Sequence, residues 1–213
     1  MWALVPLKSP LRAKSRLAGV LDPLQRERLV VVLAERVIGT LRTTPGISQV
    51  AVITASPAVA ALAGRYGAQV IREAEESGSA AAFVTALRHL HALQLPRVLM
   101  ISADLPLLST SAVQRMIEAA GDSPGIVLAP DRHRVGTNAL LCTPPQVIAP
   151  CFGPDSFCRH LAAAAAAGIE ARIVEDESLA LDLDTPDDLE CLRTHGDASA
   201  RAMLDALHWA VAV

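Results

Sequence analysis

Val98-Leu99-Met100-Ile101-Ser102-Ala103-Asp104-Leu105-Pro106-Leu107-Leu108 joins an apolar run to a single carboxylate and a proline. An apolar run without alternation is the pattern of a strand buried on both faces of a sheet, and the proline stops ladder pairing. Asp104 is thereby predicted at a strand's carboxyl end. Ligands of open α/β sheets bind along that edge, where a carboxylate suits a hard cation carrying a phosphate. A turn residue capping the next helix accounts for the same acid equally well.

Outward from this strand, helical and extended patterns alternate. Strands are predicted over 3–7, 49–54, 68–71, 125–129, 139–142 and 170–174. Between them, helices are predicted from Asp22-Pro23 to 41, over 58–66 and 80–93, from a Ser109 or Thr110 cap to 120, and from a Ser156 cap to 167. A last one follows Thr185-Pro186. This alternation is the signature of right-handed βαβ units, so the expected class is α/β: one Rossmann-like domain, 1–213, with a mixed, mostly parallel sheet flanked by helices. Residues 198–213 predict an alanine-rich C-terminal helical tail that packs on the domain or pairs two subunits as a homodimer.

Composition excludes several classes. The chain has 213 residues and 52% hydrophobic content. Much of that content is alanine, and no apolar run reaches the ~18 to 20 residues a spanning helix needs. The apolar start is too short for a signal peptide, and its cations follow it instead of preceding it. Cys142, Cys151, Cys158 and Cys191 show no CxxC pairing, which predicts reduced thiols and a cytoplasmic setting. A net charge of −3 with two Trp, one Tyr and three Phe provides neither a basic field nor stacking platforms for nucleic acid. A mononucleotide is the expected partner.

Several segments carry candidate chemistry. The first strand feeds Lys8-Ser9-Pro10-Leu11-Arg12-Ala13-Lys14-Ser15-Arg16, a basic loop placed to hold phosphates through Lys8, Lys14 and Arg16, or simply a solvated loop. It matches neither the dinucleotide glycine pattern nor a P-loop. Gly78 and Ser79, ahead of a helix, suit a nucleotide's approach to the backbone or a plain N-cap. Gly136-Thr137-Asn138 offers hydroxyl, amide and backbone donors for a carboxylate or phosphate. Gly153 and Ser156, at a helix start, suit an acidic substrate or simple capping. In the alternating segment 180–184, Asp182 and Asp184 project to one side and Leu181 and Leu183 to the other. Asp187 and Asp188 read as first-turn acids with no further role. His89 and His91, two apart on one helix, do not form a metal pair.

In chain order, the basic loop, Ala103-Asp104-Leu105-Pro106, Gly136-Thr137-Asn138-Ala139-Leu140-Leu141, Phe152-Gly153-Pro154 and Leu181-Asp182-Leu183-Asp184-Thr185-Pro186 resemble the MobA-like nucleotidyltransferase superfamily. Most closely they resemble its phosphoenolpyruvate or 2-phospho-L-lactate guanylyltransferases, the CofC/FbiD group of coenzyme F-420 biosynthesis. The resemblance spans residues 2 to about 192. It implies the nucleotide-diphospho-sugar transferase fold and transfer of GMP from GTP to a small phosphorylated carboxylic acid with release of pyrophosphate. By the same resemblance Asp104 and Asp184 are Mg²⁺ ligands with Asp182 as helper, and Lys14 acts with them in catalysis. Lys8, Lys14 and Arg16, with Gly78 and Ser79, face the nucleotide, while Thr137, Gly153 and Ser156 bind the acceptor.

Two positions depart from the family pattern: Gly78-Ser79-Ala80 stands where Gly-Leu-Asn is usual, and Asp155 where glycine is common. A molybdenum-cofactor nucleotidyltransferase is the enzyme alternative, but its Leu-Ala-Gly-Gly opening is absent. A non-catalytic nucleotide-binding regulator on the same fold is the other; retention of both Asp104 and Asp184 argues against it.

Overall fold

A computed structural model describes residues 1–10, 13–121 and 124–206. Among them, seven strands form one sheet: β1 (Trp2–Pro6), β2 (Gln49–Thr54), β3 (Gln69–Arg72), β4 (Val98–Ile101), β5 (Gly125–Pro130), β6 (Thr137–Thr143) and β7 (Glu170–Ile173), in the order β3-β2-β1-β4-β6-β5-β7. The pairs β1/β2, β1/β4, β2/β3 and β5/β7 are parallel. β6 is antiparallel to both of its neighbours. Its reversal follows from the connection 131–136, which is long enough for a hairpin and too short for a crossover. The sheet is therefore mixed and mostly parallel, as expected. β6 starts at Thr137, earlier than its apolar run, because Thr137 pairs with Pro130 across a bulge that skips Asn138.

The helices are α1 (Pro23–Thr43), α2 (Pro57–Arg65), α3 (Ser79–Leu90), α4 (Thr110–Ala119), α5 (Ser156–Ala166), α6 (Glu177–Ala180), α7 (Pro186–His195) and α8 (Ala198–Ala206). Their starts obey local chemistry. Asp22 and Gln25 form a capping box with proline in the first turn, and Ser56 and Ser109 accept from Val59 N–H and Ala112 N–H. Two expectations are corrected. Asp155, left-handed at φ 53°, takes the N-cap place of α5, while Ser156 is already helical and turns its hydroxyl to the Thr137 amide. α3 ends at Leu90; His91–Leu93 tighten into a 3₁₀ turn that stops at Gln94, which is itself left-handed.

Both sheet faces are covered, which is why β4 reads as an unbroken apolar run. Leu99 and Ile101 pack with α1, α2 and α4, while Val98 and Met100 pack with α3 and α5. A third apolar cluster sits beside the sheet. It joins Leu17 and Leu21 to Leu29 and Leu33 of α1, Leu181 and Leu183, α7, and Ala200, Met203 and Leu204 of α8. The described part of the predicted tail, to Ala206, thus packs on its own domain, and 207–213 lie outside the described residues. No helix among the described residues is long and apolar enough to cross a membrane.

Leu183 is fully buried in that third cluster. Leu183→Ala is expected to lower unfolding stability by about 2–4 kcal/mol in a denaturant titration. At Leu24, which is 55% exposed, the same change should alter it by less than about 0.5 kcal/mol.

Candidate active site

β1 connects onward to β2 on one side of the sheet, while β4 pairs on its other side. The carboxyl ends of β1 and β4 therefore flank a topological switch point, where open α/β sheets form their ligand crevice. Asp104 follows the end of β4, and the basic loop follows β1. They meet through Lys14, whose Nζ donates to Asp104 Oδ2 at 2.5 Å and to Asp184 Oδ1 at 2.7 Å. The Lys14 backbone is left-handed (φ 55°, ψ 40°), an uncommon state for a lysine. A 3₁₀ turn, Ser15–Leu17, holds it there by burying Leu17 completely in the third cluster. Burial alone would lower the ammonium's pKa, but the Asp104 and Asp184 carboxylates outweigh it and hold it above its ordinary value. Lys14 is thus a charged amine shared between Asp104 and Asp184, the two acids with which the resemblance groups it.

The second acid is set by packing and capping together. Leu181 and Leu183 are buried on one side of the extended segment 181–184, and Asp182 and Asp184 face the other, as the alternation predicted. Leu183 N–H donates to the Asp104 carbonyl at 3.1 Å, tying the two acidic segments directly. Asp188 does more than favour the helix dipole. It is buried, and its Oδ2 accepts from the Asp184 amide (3.0 Å), the Thr185 amide (2.7 Å) and the Thr185 hydroxyl (2.8 Å), while Oδ1 pairs with Arg132 at 2.6 Å. Asn138 Nδ2 donates to the Leu179 and Ala180 carbonyls and, at 3.4 Å, to Asp182 Oδ1. Its amide is therefore spent on structure, as is Gly136 N–H, which donates to Asp131. Burial, and then the charges of Asp104 and Asp184, push the Asp182 carboxyl up to about 6. Asp188 and Arg132 were not predicted for the site, and Asn138, offered as an amide donor to a ligand, is instead bonded to the 179–182 segment. The capping box Thr185/Asp188 is readable from spacing, but its partner Arg132 comes from the β5–β6 turn and leaves no local signal.

A cavity of about 380 Å³ opens here, with Lys8, Lys14, Ser79, Asp104 and Asp184 in its wall. Gly78 is the extended N-cap of α3 beside it. Arg16 is exposed on the 3₁₀ turn and is not in that wall; Arg12 lies outside the described residues. Thr137, Gly153 and Ser156 form a separate group at the same sheet edge. Thr137 N–H donates to Ser156 Oγ at 2.8 Å, and Ser156 N–H to the Gly153 carbonyl at 3.2 Å. Gly153 has φ 118°, open only to glycine at little cost. Asp155 is exposed, and its left-handed backbone is one that glycine adopts freely and aspartate tolerates.

Comparison with known proteins gives the same grouping. A phosphoenolpyruvate guanylyltransferase of Rubrobacter xylanophilus is 39% identical over 201 residues, 94% of this chain and 97% of that protein. A 3-phospho-D-glycerate guanylyltransferase of Colwellia psychrerythraea is 32% identical over 188 residues, 88% of this chain and 89% of that one. A crystal structure from Desulfovibrio desulfuricans G20, provisionally described as a nucleotide-diphospho-sugar transferase, superposes with a TM-score of 0.79 at 16% identity, covering 97% of this chain and 95% of that one. The last establishes the fold alone. The family described as CofC-like guanylyl transferases matches residues 1–213, and the chain belongs to that family.

Proposed function

We propose that this enzyme transfers GMP from GTP to the phosphate of phosphoenolpyruvate, with release of pyrophosphate, on the way to the deazaflavin coenzyme F-420. The observation that carries the reading is the convergence of Asp104 and Asp184 on one Lys14 ammonium at the switch-point edge. In this reaction an acceptor phosphate oxygen forms a bond to the α-phosphorus of GTP as the bond to the β-phosphate oxygen breaks. The nucleophile is already an anion, so no general base is needed, and catalysis consists of positioning and charge neutralisation. Lys14 contributes a fixed positive charge, Lys8 an exposed one from the cavity wall. Ser79 and the α3 N-terminus present donors toward the nucleotide.

Mg²⁺ is the cofactor assigned to this site. The donor set fits it: Asp104 and Asp184 are oxygen ligands already converging on one cation, with Asp182 beside them. Mg²⁺ takes one or two carboxylates and completes its shell with phosphates and water, so Asp104 and Asp184 would be enough to hold it. When bound, it supplies Lewis-acid neutralisation of phosphate charge. The acceptors 2-phospho-L-lactate and 3-phospho-D-glycerate offer the same pair of groups, a phosphate and a carboxylate, and are the competing substrates.

Incubated with GTP and each acid in turn, the enzyme is expected to release pyrophosphate fastest with phosphoenolpyruvate, to give a product with the mass of the GMP conjugate, and to stop on addition of EDTA. Release with none of the three acids under any nucleoside triphosphate would overturn the assignment. Asp104→Asn should reduce kcat/KM by about 10²- to 10³-fold while the circular dichroism spectrum stays that of the folded chain; unchanged turnover sinks the paired-carboxylate mechanism. Asp188→Asn, which loosens the Asp184 backbone one step from the chemistry, should cost about 10- to 100-fold in activity.

A further inference from the structure

His160 is fully buried, and the proposed reaction does not use it. It stands on α5 one turn after Ser156 and packs edge-on against the Phe152 ring, with centroids 5.1 Å apart. The Cys151 backbone N–H donates to its Nε2 at 2.8 Å. A backbone amide can only donate, so Nε2 is unprotonated and the hydrogen of the neutral ring sits on Nδ1. Burial, and then the Arg159 charge, bring the ring's pKa down to about 4, against the pull of a backbone hydrogen bond with Ser156. Nδ1 lies 3.0 Å from Thr137 Oγ1 and therefore donates to it.

Thr137 thus has an oxygen lone pair occupied from below. Ser156 is in the same state, because its Oγ accepts the Thr137 amide hydrogen at 2.8 Å. Both residues are buried, at 5% and 1% exposure, and among the described residues neither hydroxyl hydrogen has an acceptor. The bulge that skips Asn138 produces this pairing: Thr137 turns toward α5 while Asn138 turns toward Leu179 and Asp182.

We infer that His160 is a positioning residue for the acceptor: by donating to Thr137 it fixes that hydroxyl as a hydrogen-bond donor and, together with Ser156, completes a two-donor site for an oxyanion of the phosphorylated acid. The inference rests on the proposed function and on the acceptor role that the family resemblance implies for Thr137 and Ser156. A hydroxyl facing an anion helps only when it donates, and a ring of fixed tautomer removes the alternative before substrate arrives.

Two measurements test it. In the wild-type chain, ¹⁵N NMR of the ring should show a neutral His160 protonated on Nδ1 at neutral pH; a proton on Nε2 overturns the inference whatever the activity. In kinetics, His160→Gln, which keeps an acceptor for the Cys151 amide but loses the Nδ1 donor, should raise the acceptor KM about tenfold. GTP KM and kcat should stay within about twofold, and His160→Asn, which restores a donor at the Nδ1 position, should recover most of the loss. In a Thr137→Val background, His160→Gln should add nothing further, since its effect passes through the hydroxyl that is gone. A parallel rise in GTP KM, or a further loss in the Thr137→Val background, assigns His160 a purely structural part and refutes the inference. If the wild-type enzyme turns over none of the three acids, the substrate assignment falls and the acceptor role with it, while the tautomer measurement still reports separately on the hydroxyl.

Discussion

Three carboxylates, Asp104, Asp182 and Asp184, are drawn to one corner of the sheet edge, and such a group repels itself unless a positive charge stands among them. Lys14 is that charge. Its ammonium is nearly enclosed and touches two of the three acids. The price of withdrawing a lysine from water is met only because both partners are in contact, so the pairing depends on the loop and the 181–184 segment arriving at the same place.

That arrival is the work of leucines. Leu17 anchors the turn beyond Lys14, and Leu181 and Leu183 anchor the segment that carries Asp182 and Asp184, all in one apolar cluster against α1, α7 and α8. Apolar burial without direction sets the coarse position, and directional hydrogen bonds then set the fine one. Leu183 N–H reaches the Asp104 carbonyl, and Asp188 collects the amides of Asp184 and Thr185. Hydrophobic packing and polar capping thus act in series on the same few residues, and the electrostatics of the crevice follow from both.

Much of this was legible in the chain wherever the cause is local. The unbroken run 98–101 revealed a strand covered on both faces, although it ends at Ile101, short of Asp104 and Pro106, and the alternation of Leu181, Asp182, Leu183 and Asp184 revealed the side each residue faces. What was not legible depends on residues far apart in sequence. Ser156 reads as an N-cap because serine favours that position, yet the amide that claims its hydroxyl belongs to Thr137 on a strand. Asp188 reads as a helix-start acid because nothing nearby announces Arg132, and the residues of the loop alone show Lys14 as a phosphate-binding cation because the two acids that enclose it follow much later. His160 gave no signal at all, since a buried histidine on a helix looks like any other until its two ring nitrogens have partners.

The reversed strand β6 has a consequence for how such an enzyme diversifies. Because among the described strands it alone runs against the others, its amino-terminal end shares an edge with the carboxyl ends of β4 and β5, and the groups assigned to the acceptor all come from one contiguous stretch, 136–160. The groups assigned to the nucleotide come from the chain before Ser102, in the β1 and β3 connections. On these proposed assignments, the two substrates would be held by separate stretches of the chain, joined where Lys14 bridges Asp104 and Asp184. A change of acceptor would then fall on one hairpin and the helix after it, with the nucleotide stretch and that junction left in place.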